Sequence, residues 1–361
     1  ATVIDDHPIV ADHAHRLWLK ALLELSHDAA AAHLASEFEL AYPDSPLRGE
    51  VFELLGDARQ ALGADAAARA AWQRARGEVR NQETRAALDL SIAESFERSG
   101  RDWEASRSYL TVWTEAPTSE AAKTAEKALR RLELKNQKFL RTAPQLAKRA
   151  QALYAARANQ EALAAYDRAI HGNLPRNTRR TLQRERAFTL FRLRRYPEAV
   201  VAFGELGNGR EDRFWRARSL ARSGRVAQSI REFEKLSKGR FTALAARSLL
   251  LAGILREDEA DCTRALASYV RVAAKAPTRA LRAGARRRLG WCAYQDERYR
   301  EAVEHFALLA KATADPLERL GARYWRARSL EQLGAPEAPE AFRALATEYP
   351  LSYYGWRAAG R

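Results

Sequence analysis

The sequence predicts an all-α fold, a solenoid of stacked helices, from a two-residue motif that recurs along most of the chain. At eight places a small residue is followed four positions later by an aromatic ring. Residues four apart lie on the same helix face. Each pair therefore places a small residue, where a neighbouring helix can approach closely, beside a bulky side chain. Most successive pairs are 36 or 37 residues apart, close to the length of one helix hairpin. The pairs are Ala68/Trp72, Ala105/Tyr109, Ala162/Tyr166, Ala199/Phe203, Ser229/Phe233, Ala265/Tyr269, Ala302/Phe306 and Ala338/Phe342.

Length and composition are compatible with this fold. A chain of 361 residues would ordinarily form two or three globular domains, but a solenoid grows by adding repeats that contact only their neighbours. The hydrophobic content of 47% is ordinary and argues against disorder. No apolar run approaches the roughly 18 residues needed to cross a bilayer, so we predict no membrane span.

The net charge of +15 is unevenly distributed along the chain. Residues 1–66 hold 12 acidic and 4 basic side chains, a net charge of −8, which leaves +23 for the remainder. A solvated surface in an arginine-rich chain is the simplest explanation. A basic surface for a polyanion or an acidic partner, and an acidic start that docks on the basic body, are the alternatives.

The sequence predicts three successive regions. Residues 1–46 predict an irregular helical cap with an apolar cluster at Leu17–Leu25 and a loop at Tyr42–Pro46. Residues 47–141 predict the first regular repeats plus an extra helix within Ser119–Phe139, where one interval between pairs lengthens to 57 residues. Residues 142–361 predict further repeats.

Smaller signals place the ends of the predicted helices. Phe52, Leu55 and Gly56 precede Ala68 by 16, 13 and 12 residues. Prolines eight residues after an aromatic would stop the second helix of a repeat, and glycines would supply positive φ in the turns. The prolines are Pro117, Pro277 and Pro350, and the glycines are Gly63, Gly100, Gly224 and Gly334. This combination resembles the tetratricopeptide repeat, and the resemblance implies a right-handed superhelix with a groove that binds a protein partner.

No complete active centre, metal site or cofactor site is predicted. Five histidines fall in the first 33 residues near Asp5, Asp6 and Asp12, but His13 and His15 would point about 200° apart on a helix, which is poor for joint ligation. The five are His7, His13, His15, His27 and His33. Glu94 could suggest a catalytic acid, yet it lies beside a core position, and we predict no catalytic residue in this chain.

Two further patterns stay without a function. Cys262 and Cys292 lie in adjacent repeats, and whether they pair is left open. Arginines are dense at 179–195 and 286–288, but the aromatic residues lie at repeat core positions rather than between them on an exposed face. We therefore predict no nucleic-acid partner.

The last 40 residues carry the most specific motifs. The segment Ala322–Gly334, with Tyr324 and Trp325 at its centre, echoes Phe214–Gly224. It is followed by Tyr349–Ala359, which holds Tyr353, Tyr354 and Trp356. Three large rings within four residues would be exposed at the end of a solenoid unless terminal packing or another domain covers them.

These two segments resemble the end of the α-superhelical region of soluble lytic murein transglycosylases. The resemblance implies a periplasmic, exported scaffold for a lysozyme-like catalytic domain, whose catalytic glutamate we expect beyond Arg361. It further implies that Tyr324, Trp325, Tyr353, Tyr354 and Trp356 dock that domain. A basic surface at Arg286, Arg287 and Arg288 would then face peptidoglycan. The alternative is a tetratricopeptide adaptor that binds a protein partner in its groove.

Overall fold

The computed structural model describes residues 10–259 and 261–361, without the side chain of Cys262. These residues form α-helices joined by short turns and contain no β-strand, which confirms the all-α prediction. The chain divides into two compact units, residues 1–193 and 194–361. The predicted boundaries at 46 and 141, and the predicted right-handed superhelix, stay predictions.

The first unit contains helices α1 to α10. They are α1 (Ala11–Glu24), α2 (Asp28–Ala41), α3 (Arg48–Ala61), α4 (Asp65–Glu78), α5 (Gln82–Arg98), α6 (Asp102–Glu115), α7 (Glu120–Lys135), α8 (Ala143–Ala155), α9 (Asn159–Ile170) and α10 (Arg176–Arg192). A single 3₁₀ turn, Gln137–Phe139, follows α7. The part of the predicted cap that the structure describes, residues 10–46, forms α1, α2 and a loop, and residues 1–9 lie outside the described residues.

The second unit contains helices α11 to α20. They are α11 (Tyr196–Glu205), α12 (Arg210–Arg222), α13 (Val226–Leu236), α14 (Ala243–Asp258), α15 (Cys262–Lys275), α16 (Arg279–Gln295), α17 (Tyr299–Ala312), α18 (Pro316–Gln332), α19 (Ala338–Glu348) and α20 (Tyr353–Ala359). Within each unit a helix packs mainly on the helices before and after it in the chain, which is the arrangement of a stack of helix hairpins.

The small-then-aromatic pairs form the core of this stack. All eight aromatic side chains and their eight small partners are buried, and each pair lies on one helix. Glycine on the preceding helix makes room for the ring: a Cβ would lie 2.3 Å from Trp72 at Gly56, 2.6 Å from Tyr269 at Gly253 and 2.8 Å from Phe306 at Gly290. The predicted tetratricopeptide-like hairpin packing is therefore present in the described residues.

The predicted helix ends are confirmed as well. Gly63, Gly100, Gly224 and Gly334 have φ values of +75°, +70°, +81° and +63° in the turns of their hairpins. Pro117, Pro277 and Pro350 each lie two residues beyond the last residue of a second helix, that is, of α6, α15 and α19. Sequence reasoning missed that Ser26, Arg157, Arg194 and Glu297 adopt the same left-handed conformation, with φ between 59° and 62°.

The extra helix predicted within Ser119–Phe139 is α7. Ser119 caps it by accepting a hydrogen bond from the amide of Ala122 at 3.0 Å, and the apolar residues of its inner face are buried. The loop that follows is tied back by Arg141, whose side chain is only 3% exposed and pairs with Glu126 at 2.6 Å and Glu133 at 2.7 Å. α7 packs on α5 and α6, whereas α8, the next helix in the chain, packs on α6 and α9, so α7 is not paired with α8 in a hairpin.

A candidate binding cleft lined by aromatic side chains

The five aromatic residues predicted as a docking surface separate into a buried and an exposed set. Tyr324 is buried on α18, and Trp325 and Tyr354 are half-buried on α18 and α20. Tyr353 and Trp356 remain 63% and 70% exposed. The terminal helix α20 therefore covers part of the aromatic set and presents the rest to solvent.

Tyr354 joins α20 to α18. Its ring lies 5.5 Å from the ring of Tyr324, and that ring lies 6.0 Å from Phe342 on α19. Gly321 on α18 allows this approach, because a Cβ there would lie 3.1 Å from the Tyr354 ring. Terminal packing, one of the two roles considered for these rings, thus accounts for Tyr324 and Tyr354.

Trp325 faces a second tryptophan on the helix hairpin before it. The rings of Trp291 on α16 and Trp325 are 4.3 Å apart, centroid to centroid, and Tyr294 lies 5.3 Å from Trp325. The tryptophans line a cleft of about 360 Å³ together with Tyr354 and Leu317, which is 71% exposed at the start of α18. This volume lies in the range of small-ligand sites and accommodates one large side chain of a partner.

Charged groups form the rim of the cleft. Arg287 on α16 pairs with Glu318 on α18 at 3.1 Å, and the hydroxyl of Thr313 donates to the same carboxylate. Asp315 caps α18 by accepting a hydrogen bond from the amide of Leu317 at 2.9 Å. The two half-buried tryptophans are therefore bordered by a fixed ion pair and one further carboxylate.

The three arginines predicted as a basic surface face different neighbours. Arg287 lies at the cleft, and Arg288 pairs with Glu257 on α14 at 3.1 Å. Arg286 lies near His305, whose pKa is lowered mainly by burial. Two of the three guanidinium charges are thus shared with carboxylates of adjacent helices, and the role of this surface stays a prediction.

A second cleft, of about 480 Å³, lies between α12, α13 and α14. Leu251 and Ile254 form its apolar side, and Arg218 and Arg222 line it from α12. Burial lowers the pKa of Arg218, and the positive charges of Arg247 and Arg222 lower it further. Sequence reasoning missed this cleft, because its walls are ordinary helix positions without an unusual motif.

The remaining predicted candidates are Glu94, the possible metal ligands and the two cysteines. Glu94 is half-buried on α5, and burial raises its pKa. The described residues contain no cluster of three or more possible metal ligands, and none of their helices is long and apolar enough to cross a membrane. Asp5, Asp6 and His7 lie outside the described residues, as does the side chain of Cys262, so its pairing with the buried Cys292 is not tested.

No protein-family model and no curated protein sequence matches this chain. Solved structures of helical-repeat proteins resemble it weakly. The TPR domain of P58(IPK) has 16% identity and a TM-score of 0.29, with 96% of each chain covered. The C-terminal part of a TPR repeat-containing protein from Cytophaga hutchinsonii has 14% identity and a TM-score of 0.32. The match covers 71% of this chain and 93% of the other.

A third structure, the APC/C hetero-tetramer Cut9–Hcn1, has 13% identity and a TM-score of 0.32, with 96% of this chain and 95% of the other covered. The assignment of the fold rests on the helix packing described above, since likenesses at this level add no argument of their own. None of these three structures is a lytic murein transglycosylase, and that resemblance stays a prediction from sequence.

Proposed function

We propose that the chain is an interaction scaffold that binds a protein partner through the cleft between α16 and α18. The observation that carries this proposal is the pair of half-buried tryptophans, Trp291 and Trp325, in a cleft with an exposed leucine at its edge. Tryptophan is enriched among the few residues that supply most of the binding energy at protein interfaces. Packing within the helix stack alone does not require two half-buried tryptophans beside a cavity.

The charged rim would orient a partner that enters the apolar cleft. Charged residues around a central apolar pocket set the orientation of a partner, while the pocket supplies most of the free energy of binding. Arg287 and Glu318 neutralise each other, so the cleft offers a partner an apolar anchor site rather than a strong net charge. A peptide with one large apolar side chain fits this description.

A peptide selected against the chain from a random library tests the proposal. We expect Trp325→Ala and Trp291→Ala each to weaken its binding by about thirtyfold or more, the 2 kcal/mol typical of a buried tryptophan at an interface. Leu317→Ser, at an exposed position, should weaken binding without unfolding the chain. Binding is measured by isothermal titration calorimetry, and circular dichroism checks the fold of each variant.

Trp103→Ala is the matched control, because Trp103 is exposed on α6 in the first unit. It should leave the affinity unchanged. Selected peptides that bind equally well to the Trp291, Trp325 and Leu317 variants would contradict the proposed site.

As a second candidate, we propose that the chain is the scaffold of a periplasmic peptidoglycan lytic transglycosylase. Support comes from the segment that carries the sequence resemblance, where Leu351 is fully exposed and Tyr353 and Trp356 largely so. These side chains would suit a docked catalytic domain. The second unit also holds 32 basic and 20 acidic side chains, a net charge of +12. This charge would attract the carboxylates of peptidoglycan stem peptides.

Pelleting with purified sacculi tests this candidate. The chain should pellet with sacculi, and reversal of the charges at Arg286, Arg287 and Arg288 should reduce the pelleted fraction. The gene sequence beyond codon 361 provides an independent test, since a lysozyme-like segment with a glutamate would support the enzyme. Absence of pelleting, or pelleting unchanged by the charge reversal, would count against this role for the three arginines.

A further inference from the structure

The outer side of α7 combines exposed apolar residues with lysines. Leu134 is 90% exposed on the last turn of this helix, and Leu140 is 56% exposed just beyond the 3₁₀ turn. Trp103, at the start of α6, is 60% exposed and lies 6.2 Å from the ring of Phe139. Lys135 pairs with Asp102, which brings the start of α6 beside the end of α7. We call Trp103, Leu134 and Leu140 the α7 patch; Phe139 is half-buried and also packs on the core of the first unit.

The segment around the α7 patch carries a net positive charge, much of it from lysine. Residues 119–141 hold seven basic and three acidic side chains, a net charge of +4. They include four of the ten lysines of a chain that otherwise uses arginine. Several of these cations pair with carboxylates, but among the described residues Lys127 and Lys138 have no ion-pair partner. Lys127 lies seven positions before Leu134 and therefore on the same helix face.

The chemistry of the α7 patch favours one kind of partner. Leu134 projects almost wholly into solvent, so it can enter an apolar environment without any rearrangement of the fold. An exposed tryptophan and leucines flanked by lysines match the chemistry of a bilayer interface. There the apolar side chains enter the boundary of the acyl chains, and lysines meet anionic headgroups.

We propose that the α7 patch binds the surface of an anionic phospholipid membrane. The binding is peripheral and needs both the apolar side chains and the lysine charge. The apolar side chains are few, and the attraction between the lysines and the headgroups is screened by salt. It uses the first unit and does not depend on the cleft proposed for a protein partner in the second unit.

Co-sedimentation with vesicles tests this proposal. The probes are vesicles of phosphatidylcholine alone and of phosphatidylcholine with phosphatidylglycerol. We expect stronger binding to the anionic vesicles, and a loss of binding as sodium chloride is raised. The double variant Lys127→Gln/Lys138→Gln should weaken partitioning by more than tenfold, at about fivefold for each lysine. Leu134→Ser should weaken it about tenfold.

The second unit offers matched controls. Leu351→Ser removes an equally exposed leucine, and Lys238→Gln/Lys275→Gln removes two exposed lysines. Both should leave binding unchanged. All of these positions are on the surface, and circular dichroism is the check that each variant is folded. Trp103 provides a direct signal, because its fluorescence should shift to the blue with anionic vesicles and the shift should be absent in Trp103→Phe.

Three results would overturn the proposal. One is equal binding to neutral and anionic vesicles, and another is an equal effect of the patch and control variants. The third is binding to immobilised poly-glutamate, lost in the lysine variant, without binding to vesicles. That last result would assign the α7 patch to an acidic protein.

Discussion

Exchange of Gly290 for alanine should destabilise the second unit, whereas exchange of Gly284 should stabilise it. Both glycines lie inside α16, so alanine gains about the same helix propensity at each, about 1 kcal/mol. Their surroundings differ. A Cβ at Gly290 would lie 2.8 Å from the buried ring of Phe306, whereas at Gly284 the nearest atom is Cδ2 of Leu250 at 3.7 Å, an ordinary contact.

The magnitude follows from the cost of overpacking. Forcing a methyl group into a well-packed contact costs about 1–3 kcal/mol, so Gly290→Ala should lose up to about 2 kcal/mol after the gain in propensity. Gly284→Ala keeps the gain. The free energies of unfolding of the two variants should therefore differ by about 1–3 kcal/mol. For a unit of this size each kcal/mol corresponds to about 2–4 °C in Tm.

Thermal and urea unfolding followed by far-UV circular dichroism measures the difference. As a further control, Gly290→Ala in a Phe306→Leu background should cost less, because the smaller side chain can move away from the new methyl group. If both alanine variants shift the transition equally and in the same direction, the ring of Phe306 does not set the distance between α16 and α17. The account of the small-then-aromatic pairs would then be wrong.

Three further predictions concern buried polar groups. Arg141→Ala should cost about 3–5 kcal/mol in urea unfolding, since it leaves Glu133 without its cation and Glu126 with only Arg130 as a partner, and Glu133→Gln in the same chain should recover part of the loss. Burial and neighbouring carboxylates raise the pKa of Glu53, so its contribution to stability is lost as pH rises through that pKa. A comparison of Tm should therefore find Glu53→Gln more stable than the parent chain at pH 7, with the gain vanishing at low pH. Tyr269→Phe removes the hydrogen bond that the phenol donates to Glu257 and should cost about 1 kcal/mol of unfolding free energy.

The hairpin stack was predictable from sequence because its rules are local. The spacing of four residues between Ala302 and Phe306 lies within one helix turn, so it fixes a shared face without knowledge of the rest of the fold. The same holds for Gly63 in a turn and for Pro277 after a helix, since both act on their own backbone. The extra helix α7 was found by the same means, from its apolar spacing.

The cleft was predictable only in part. Trp325 was singled out from its motif, but its partner Trp291 was not, because the two are 34 residues apart and meet only when α16 and α18 are packed. The exposure of Tyr353 and the burial of Tyr324 also depend on how α20 lies on α18. Arg287 was read as a basic surface residue, and its pairing with Glu318 follows from the register of two helices.

The turns of the hairpins have a consequence for the order of folding. In four hairpin turns a glycine takes the left-handed conformation without steric cost, whereas Ser26, Arg157, Arg194 and Glu297 take it with a Cβ, at about 1–2 kcal/mol each. Neighbouring helices form by local contacts, so a chain of this kind can nucleate at more than one hairpin and grow outwards. We therefore expect the hairpins closed by Gly63, Gly100, Gly224 and Gly334 to form first, and those closed by the other residues to join a stack already begun.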